Sequence, residues 1–474
     1  MTHTYLLEAI KALQPSKRQE MSLFLASSLF NRGKNATEIV RLYEVILEAA
    51  PDFSEVLLSK ERVYFQVFGA SDLIPGRLEK VVSDLNKLLR SFALVQLYLS
   101  ESNEEHQQID WAKWLRINGL LDPSLKVTNR LKSKRERDKT ESLEEYRINL
   151  LIAEEEHEWE SVQNQFNGDV QIPNLIYHLD LYYYNYRTEL ENRYLLQQKG
   201  AHLFDLELAE VEIDFYQKES ILLQISKKVH EILKKDFSTI GEFQEMIDLL
   251  RNHENDLTFQ TLSQMYAYLR SACTMLINAG NLEFIPLLHE IHKDNLPRGY
   301  FFVNGDISRQ VYVNMVQVAT RARDFDWARA FTEEYKQKII GGDEGRFFYH
   351  FNMAHCLFAE GRFEEALDYI PEAPSSSHYH HMVRRLELKI YYELHSDLLS
   401  YKMDAFRKFI VRTAAKTIAA NLRTMDINFL NILMQLTQAP TKDKARSTRL
   451  VARIEGKKLL ADRAWLLEKA HEFG

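Results

Sequence analysis

The stretch Phe351 to Ala373, FNMAHCLFAEGRFEEALDYIPEA, constrains the fold more than any other part of the chain. Small residues fall at Ala354 and Ala366, where two antiparallel helices must touch, and Gly361 falls at the turn between them. Met353, Leu357, Phe363, Leu367 and Ile370 supply the apolar seam. A helical hairpin of this size has no means of burying its apolar face alone, so neighbours must stack on either side of it. The pattern therefore predicts an all-α array of helical hairpins. An array presents an extended surface, and nothing in the pattern names what that surface binds.

Composition agrees. Apolar residues make up 45% of the chain, enough for a large core, while only 16 glycines and 10 prolines punctuate 474 residues. A fold of many short strands needs more turns than that, so helices are favoured. The 23 tyrosines and 26 phenylalanines suit helix–helix seams. The formal net charge of −8 argues against a nucleic-acid footprint along the whole chain. Cys273 and Cys356 sit inside predicted helices without metal-like spacing, which points to a reducing, cytoplasmic compartment. The N-terminal MTHTYLLEAIKALQPSKRQE carries charge at Glu8 and Lys11 and reads as an amphipathic helix, not a signal peptide. No run approaches the roughly 20 apolar residues of a membrane span, so a soluble protein with no membrane partner is expected.

Four regions are expected. Residues 1–102 form an N-terminal helical domain. A capping box at Ser16 and Gln19 opens a helix through Met21, Phe24, Leu25 and Leu29. A second helix runs through Ile39, Leu42, Tyr43 and Ile46 and stops before Pro51. Ser59 caps a third that ends at Gly69, and a fourth follows Pro75 with a strong stripe from Leu78 to Phe92. Residues 103–257 are a charged and aromatic-rich helical continuation, with a pause from Gly168 to Pro173. Within it Val211, Ile213 and Phe215 alternate as in a strand, but a lone strand has nothing to pair with, so helix is expected. Residues 258–440 hold the repeats, where LINAGNLEFIPLL, ATRARDFDWARAF and LFAEGRFEEALDY align and LELKIYYELHSDLLSYKMDAF forms a weaker fourth unit. Pro286 is expected to kink the second helix of the first unit, and Gly341-Gly342 lies in the connection before the best one. Residues 441–474 are a basic capping helix held by Leu459, Leu460, Trp465, Leu466 and Leu467.

On these residues the region from 258 to about 410 resembles the tetratricopeptide repeat superfamily. It departs from the pattern where Arg323 replaces the turn glycine of the second unit, and where His395 or Ser396 does so in the fourth. The whole chain is also similar to a class of helical proteins of Bacteroidetes-type bacteria, through LSKERVYFQVF, YYEL, AFRKFI and WLLEK, a likeness that carries no activity with it. The repeat resemblance implies a right-handed α-solenoid with a helical N-terminal cap region, whose concave face is lined by the first helix of each repeat. It places Phe348, Asn352 and His355 on that face in the best unit. Their equivalents are Gln310, Asn314 and Gln317 in the unit before, Arg270 and Thr274 in the one before that, and Arg385 and Lys389 in the fourth. Two amides flanked by Arg and Lys suit an extended peptide or a carboxylate-bearing segment of a protein partner. The alternative is that these are solvated polar positions.

Other clusters carry less. His378, His380 and His381 lie in a loop entering a helix and lack a fourth zinc ligand, so a plain surface loop is expected. His289, Glu290 and His292 have the wrong spacing for a zincin motif. Glu154-Glu155-Glu156 and Glu207, Glu210 and Glu212 read as solvated faces, although Glu154 and His157 match one half of a di-metal spacing. The basic runs Arg130, Lys132, Lys134, Arg135, Arg137, Lys139 and Lys442, Lys444, Arg446, Arg449, Arg453, Lys457, Lys458 would meet phosphates or simply solvate an exposed helix. Phosphate-binding glycine loops and nucleophile elbows are absent from the sequence. The expectation is a non-enzymatic adaptor with no cofactor and no metal, binding a protein or peptide. Two rivals remain. One is a regulator with a winged-helix-like N-terminal unit, using Arg77, Lys80 and Lys87 on nucleic acid, a partner less favoured here. The other is a metal-binding helical bundle.

Overall fold

Helices form where the apolar stripes fall. The computed structural model describes residues 5–163, 171–201, 218, 220–235, 238–340, 345–372, 377–412, 420–438 and 443–472. The alternating segment from Val211 to Phe215, the acidic residues Glu207, Glu210 and Glu212, the pause beginning at Gly168 and the Gly341-Gly342 connection lie outside these. Nearly all the described chain is helical, and its one sheet is a two-residue hairpin, Phe302–Val303 against Asp306–Ile307. No helix among the described residues is long and apolar enough to cross a membrane.

The chain divides into two compact units. One comprises residues 1–139 and 143–182, the other residues 140–142 and 183–474. In the first, the helices Pro15–Ala26, Ala36–Glu48, Lys60–Phe68 and Arg77–Tyr98 close around Ile10, Met21, Leu42, Ile46, Val63 and Leu85. The expected capping box at Ser16 is not used. Pro15 opens that helix directly, where its missing N–H costs nothing, and Gln14 makes no side-chain cap. A capping box forms instead in the second unit, where the Thr239 hydroxyl accepts from the Glu242 amide and Glu242 accepts from the Thr239 amide.

The helices Glu104–Ile117, Leu121–Arg137 and Leu143–Gln163 pack against one another in the same unit. Here single residues of two expected solvated faces prove structural, while Glu154, Arg130, Lys134, Arg137 and Lys139 are exposed as expected. Glu155 is buried and takes both Nε and Nη2 of Arg116, at 2.7 and 3.1 Å. Arg135 is held by Glu105, Asn149 and Glu145. A charged helix packed between two others has no solvent to offer its inward ions, so they must pair.

In the second unit, helices pair in sequence order. Phe259–Asn278 packs on Phe284–Asn295, Arg309–Arg321 on Phe325–Glu334, Gly345–Ala359 on Phe363–Asp368 and Ser377–Glu393 on Leu399–Arg412. The first helices of successive hairpins also meet: Arg309–Arg321 touches Gly345–Ala359, and that touches Ser377–Glu393. Ala354 and Ala366 are fully buried where the best hairpin closes. The four turns share one backbone feature. Gly280, Arg323, Gly361 and His395 all adopt positive φ, at 108, 63, 80 and 50°. Thus Arg323 and His395 do occupy the glycine positions, at the steric cost a Cβ brings to the left-handed region. We expect Gly361→Ala to lower stability by about 1–2 kcal/mol and His395→Gly to raise it slightly. Chemical denaturation of the full chain checks both, and equal effects of the two changes would contradict the shared turn.

Pro286 does not kink its helix. That helix begins at Phe284, so the proline lies in the first turn, where no intrahelical bond is lost. The interval between the first two turns is the longest because a small β-hairpin, Phe302–Val303 against Asp306–Ile307, follows the first helical hairpin. Asn304 and Gly305, both at positive φ, reverse the chain in the small β-hairpin, the geometry favoured by an Asn-Gly turn.

Candidate functional site

The expected groove residues fall into two groups. Gln310 and Thr274 are exposed, and Asn314 and Gln317 are half-buried. On Arg309–Arg321 the spacing i, i+4, i+7 keeps Gln310, Asn314 and Gln317 on one face. Gln310 Nε2 donates to Asn314 Oδ1 at 2.7 Å, and the Tyr379 hydroxyl of a later hairpin donates to Gln310 Oε1 at 3.3 Å. Thr274 donates its hydroxyl back to the Arg270 carbonyl at 2.8 Å.

The remaining positions are structural, which corrects the expected groove. Phe348 is 1% exposed, with the Tyr379 ring edge-on at 4.7 Å. Asn352 is fully buried and donates Nδ2 to the Tyr312 carbonyl at 3.0 Å. It joins two adjacent first helices as part of the core. Arg270 is half-buried, donates to Asn295 Oδ1 at 2.5 Å and lies 4.3 Å over the Phe301 ring. His355 is half-buried with Thr320 Oγ1 at 3.5 Å from its Nδ1. Burial pushes its imidazole down to about 4, helped by the Lys389 charge and opposed by Asp462. Helix packing is the reason for the misplacement: Gly345–Ala359 meets Arg309–Arg321 on one side and Ser377–Glu393 on the other.

Arg385 and Lys389 do bind carboxylates, and the carboxylates belong to the chain itself. Arg385 Nε donates to Asp462 Oδ2 at 2.8 Å and its Nη1 to Asp426 Oδ1 at 2.5 Å. Lys389 Nζ donates to Asp462 Oδ1 at 2.6 Å and lies 5.1 Å over the Phe358 ring. His381 Nδ1 donates to the other Asp426 oxygen at 2.5 Å. His381 and Asp426 have no exposed surface at all. Burial alone would raise the Asp462 carboxyl, but the charges of Lys389 and Arg385 and their hydrogen bonds outweigh it. They hold the carboxyl far below the usual carboxylate range. Alongside, Glu393 accepts from Trp465 Nε1 at 2.8 Å and pairs with Lys469 at 3.0 Å. The last helices therefore close the unit through ion pairs as well as through Leu460 and Leu466.

Sequence reasoning missed Asp426 and Asp462. One signal was present: Asp426 shares a helical stripe with Phe429, Leu430 and Leu433, and an acid on a core stripe demands a partner. Asp462 had no such signal, since it stands at the entry of the final helix in a left-handed conformation, φ 50°.

The histidine cluster is not a surface loop. His380 and His381 belong to the helix Ser377–Glu393, His380 stacking on Phe409 at 4.1 Å; the side chain of His378 lies outside the described residues. His289 and His292 are buried, His289 Nε2 lying 2.9 Å from Asp324 Oδ2. No group of three or more His, Cys, Asp and Glu among the described residues is placed to hold a metal ion. In the N-terminal unit Arg77 lies over the Phe68 ring at 4.1 Å and Lys87 pairs with Asp84 at 3.0 Å. Two of the three cations expected to read a groove thus have partners within the unit. No protein-family model matches the chain, and neither a curated protein nor a solved structure matches it.

Proposed function

We propose that this protein is a non-enzymatic interaction scaffold, its helical hairpins forming a right-handed tetratricopeptide-like solenoid that binds a peptide or partner helix. The observation that carries the reading is the polar row on the first helix Arg309–Arg321. Gln310 and Asn314 are linked to each other and to Tyr379, and they stand above a core that has fixed the helices beneath them. Prelocked amides of this kind bond an extended main chain with little loss of side-chain freedom. The expected cationic end of the row is not part of the binding face, because Arg385 and Lys389 are already engaged by Asp426 and Asp462.

The test is affinity capture of the tagged full-length protein from its own cells, beside a variant carrying Gln310→Ala, Asn314→Ala and Gln317→Ala. All three side chains reach the surface, so the variant is expected to unfold at the same denaturant concentration as the parent. A protein partner retained at high salt by the parent and at least about tenfold depleted from the variant supports the scaffold. Partners retained equally by both remove this face from consideration.

A further inference from the structure

The charge of this chain is unevenly placed. Its net charge is −8, yet residues 399–474 hold fifteen lysines and arginines against seven aspartates and glutamates. Elsewhere in the second unit cations rest on carboxylates: Lys228 on Glu245, Arg298 on Asp294 and Arg329 on Glu360. Around one face of the helix Ala420–Thr437 the partners are neutral. Lys457 Nζ donates to Asn428 Oδ1 at 3.0 Å, and Arg407 Nη2 to Asn431 Oδ1 at 3.5 Å. Arg453 Nη1 donates to Gln435 Oε1 at 3.0 Å and Arg446 Nη2 to the Gln435 carbonyl at 3.2 Å. Asn428, Asn431 and Gln435 follow one another at i, i+3 and i+7, so four cations ring a single strip of amides.

Of the seven acids of this region, Glu468 and Glu472 pair with Lys469, and among the described residues Asp404 and Glu455 form no ion pair with these four cations. Asp426 is taken by His381 and Arg385, and Asp462 by Arg385 and Lys389. Asp443 accepts the Arg446 backbone amide at the head of its helix. A guanidinium carries five N–H donors, and an amide oxygen occupies one of them without cancelling its charge. The arrangement orients Arg446 and Arg453, about 10 Å apart along their helix, and leaves both outward donors and positive potential for an anion. Arg449, Lys444 and Lys458 are exposed beside them.

We propose that this face binds the phosphodiester backbone of a nucleic acid, without reading its sequence. Spaced, oriented arginines match a backbone of spaced single charges. A lipid surface fits less well, because the residues between the cations are amides and not the apolar side chains that enter a bilayer.

The experiment is fluorescence anisotropy of the full-length protein with a labelled DNA duplex of about 20 base pairs and a single strand of similar length, at roughly 50 and roughly 200 mM salt. Four phosphate contacts predict a loss of affinity on the order of 100-fold for the duplex between those conditions. The variant Arg446→Gln, Arg453→Gln, Lys457→Gln is expected to weaken binding and to reduce the salt slope by about 2.7. Since Arg446 and Arg453 also tether their helix, a second variant, Lys444→Glu, Arg449→Glu, Lys458→Glu, tests the charge with solvent-directed side chains only. It too is expected to lose binding, whereas Lys113→Gln, Lys126→Gln in the first unit is expected to bind as the parent does. Binding that both C-terminal variants retain, absence of binding at low salt, or binding to phosphatidylserine vesicles in place of nucleic acid would each overturn the assignment.

Discussion

Asp462→Ala is expected to destabilise the second unit by about 3–5 kcal/mol, the usual cost of removing one partner from a buried ion pair. Two cations, Arg385 and Lys389, converge on the two oxygens of this carboxylate. Without it Lys389, a buried residue, keeps only the face of the Phe358 ring, and Arg385 keeps Asp426. Asp462→Asn separates charge from shape, because asparagine retains an acceptor and tolerates the left-handed backbone. It should cost less than alanine but more than about 1 kcal/mol. The pH dependence has a definite sign. The carboxyl titrates lower in the folded chain than in the unfolded one, so its contribution is complete above the unfolded value of about 3.9. It is lost progressively as pH falls below that value towards the depressed folded one. Urea titrations from about pH 7 down to about pH 2 should therefore show a constant gap between the parent and Asp462→Ala above about pH 4 and a gap that narrows progressively below it. Curves that coincide across that window would show that the pair contributes nothing.

Phe348→Ala is expected to cost about 3–5 kcal/mol of stability, because it opens a cavity where Tyr379, Phe347 and the Arg309 guanidinium now pack. The number decides between two placements. A phenylalanine lining an open groove loses little stability when truncated and much partner affinity. One in the seam loses stability first. Denaturation midpoints for Phe348→Ala, Phe348→Leu and Gln310→Ala give the answer together. The leucine change should recover about half of the loss, and Gln310→Ala should lie within about 0.5 kcal/mol of the parent. A Phe348→Ala protein as stable as the parent would return this residue to the binding face.

The hairpins were legible because their signals are local. Ala354, Ala366 and Gly361 sit in one stretch of sequence, within the single hairpin Gly345–Ala359 and Phe363–Asp368. The equivalence of Arg323 and His395 with Gly361 was readable for the same reason, although a side chain there gives no hint of the positive φ it adopts. Helix starts were less legible. Ser16 offered a cap that Pro15 made unnecessary, whereas Thr239 and Glu242 formed one that passed unnoticed. Both outcomes turn on where the first turn begins, a matter of one residue.

The candidate site was the least legible part, and for a physical reason. Periodicity states which residues share a face, but a helix in the middle of an array has apolar seams on more than one side. Asn352 and Gln310 look alike in sequence, and only the crossing of Gly345–Ala359 over Arg309–Arg321 buries the first and exposes the second. Arg385 and Lys389 were expected to meet the carboxylates of a partner, whereas they meet carboxylates of the same chain, 41 and 73 residues further along it. The sequence by itself determined that this protein is helical, that its hairpins must stack, and where their turns fall, because those follow from short-range sterics and apolar spacing. Which polar groups meet each other, and which are left to meet a partner, was decided by tertiary structure alone. Ion pairing and desolvation act between elements that adjoin only once the chain has folded.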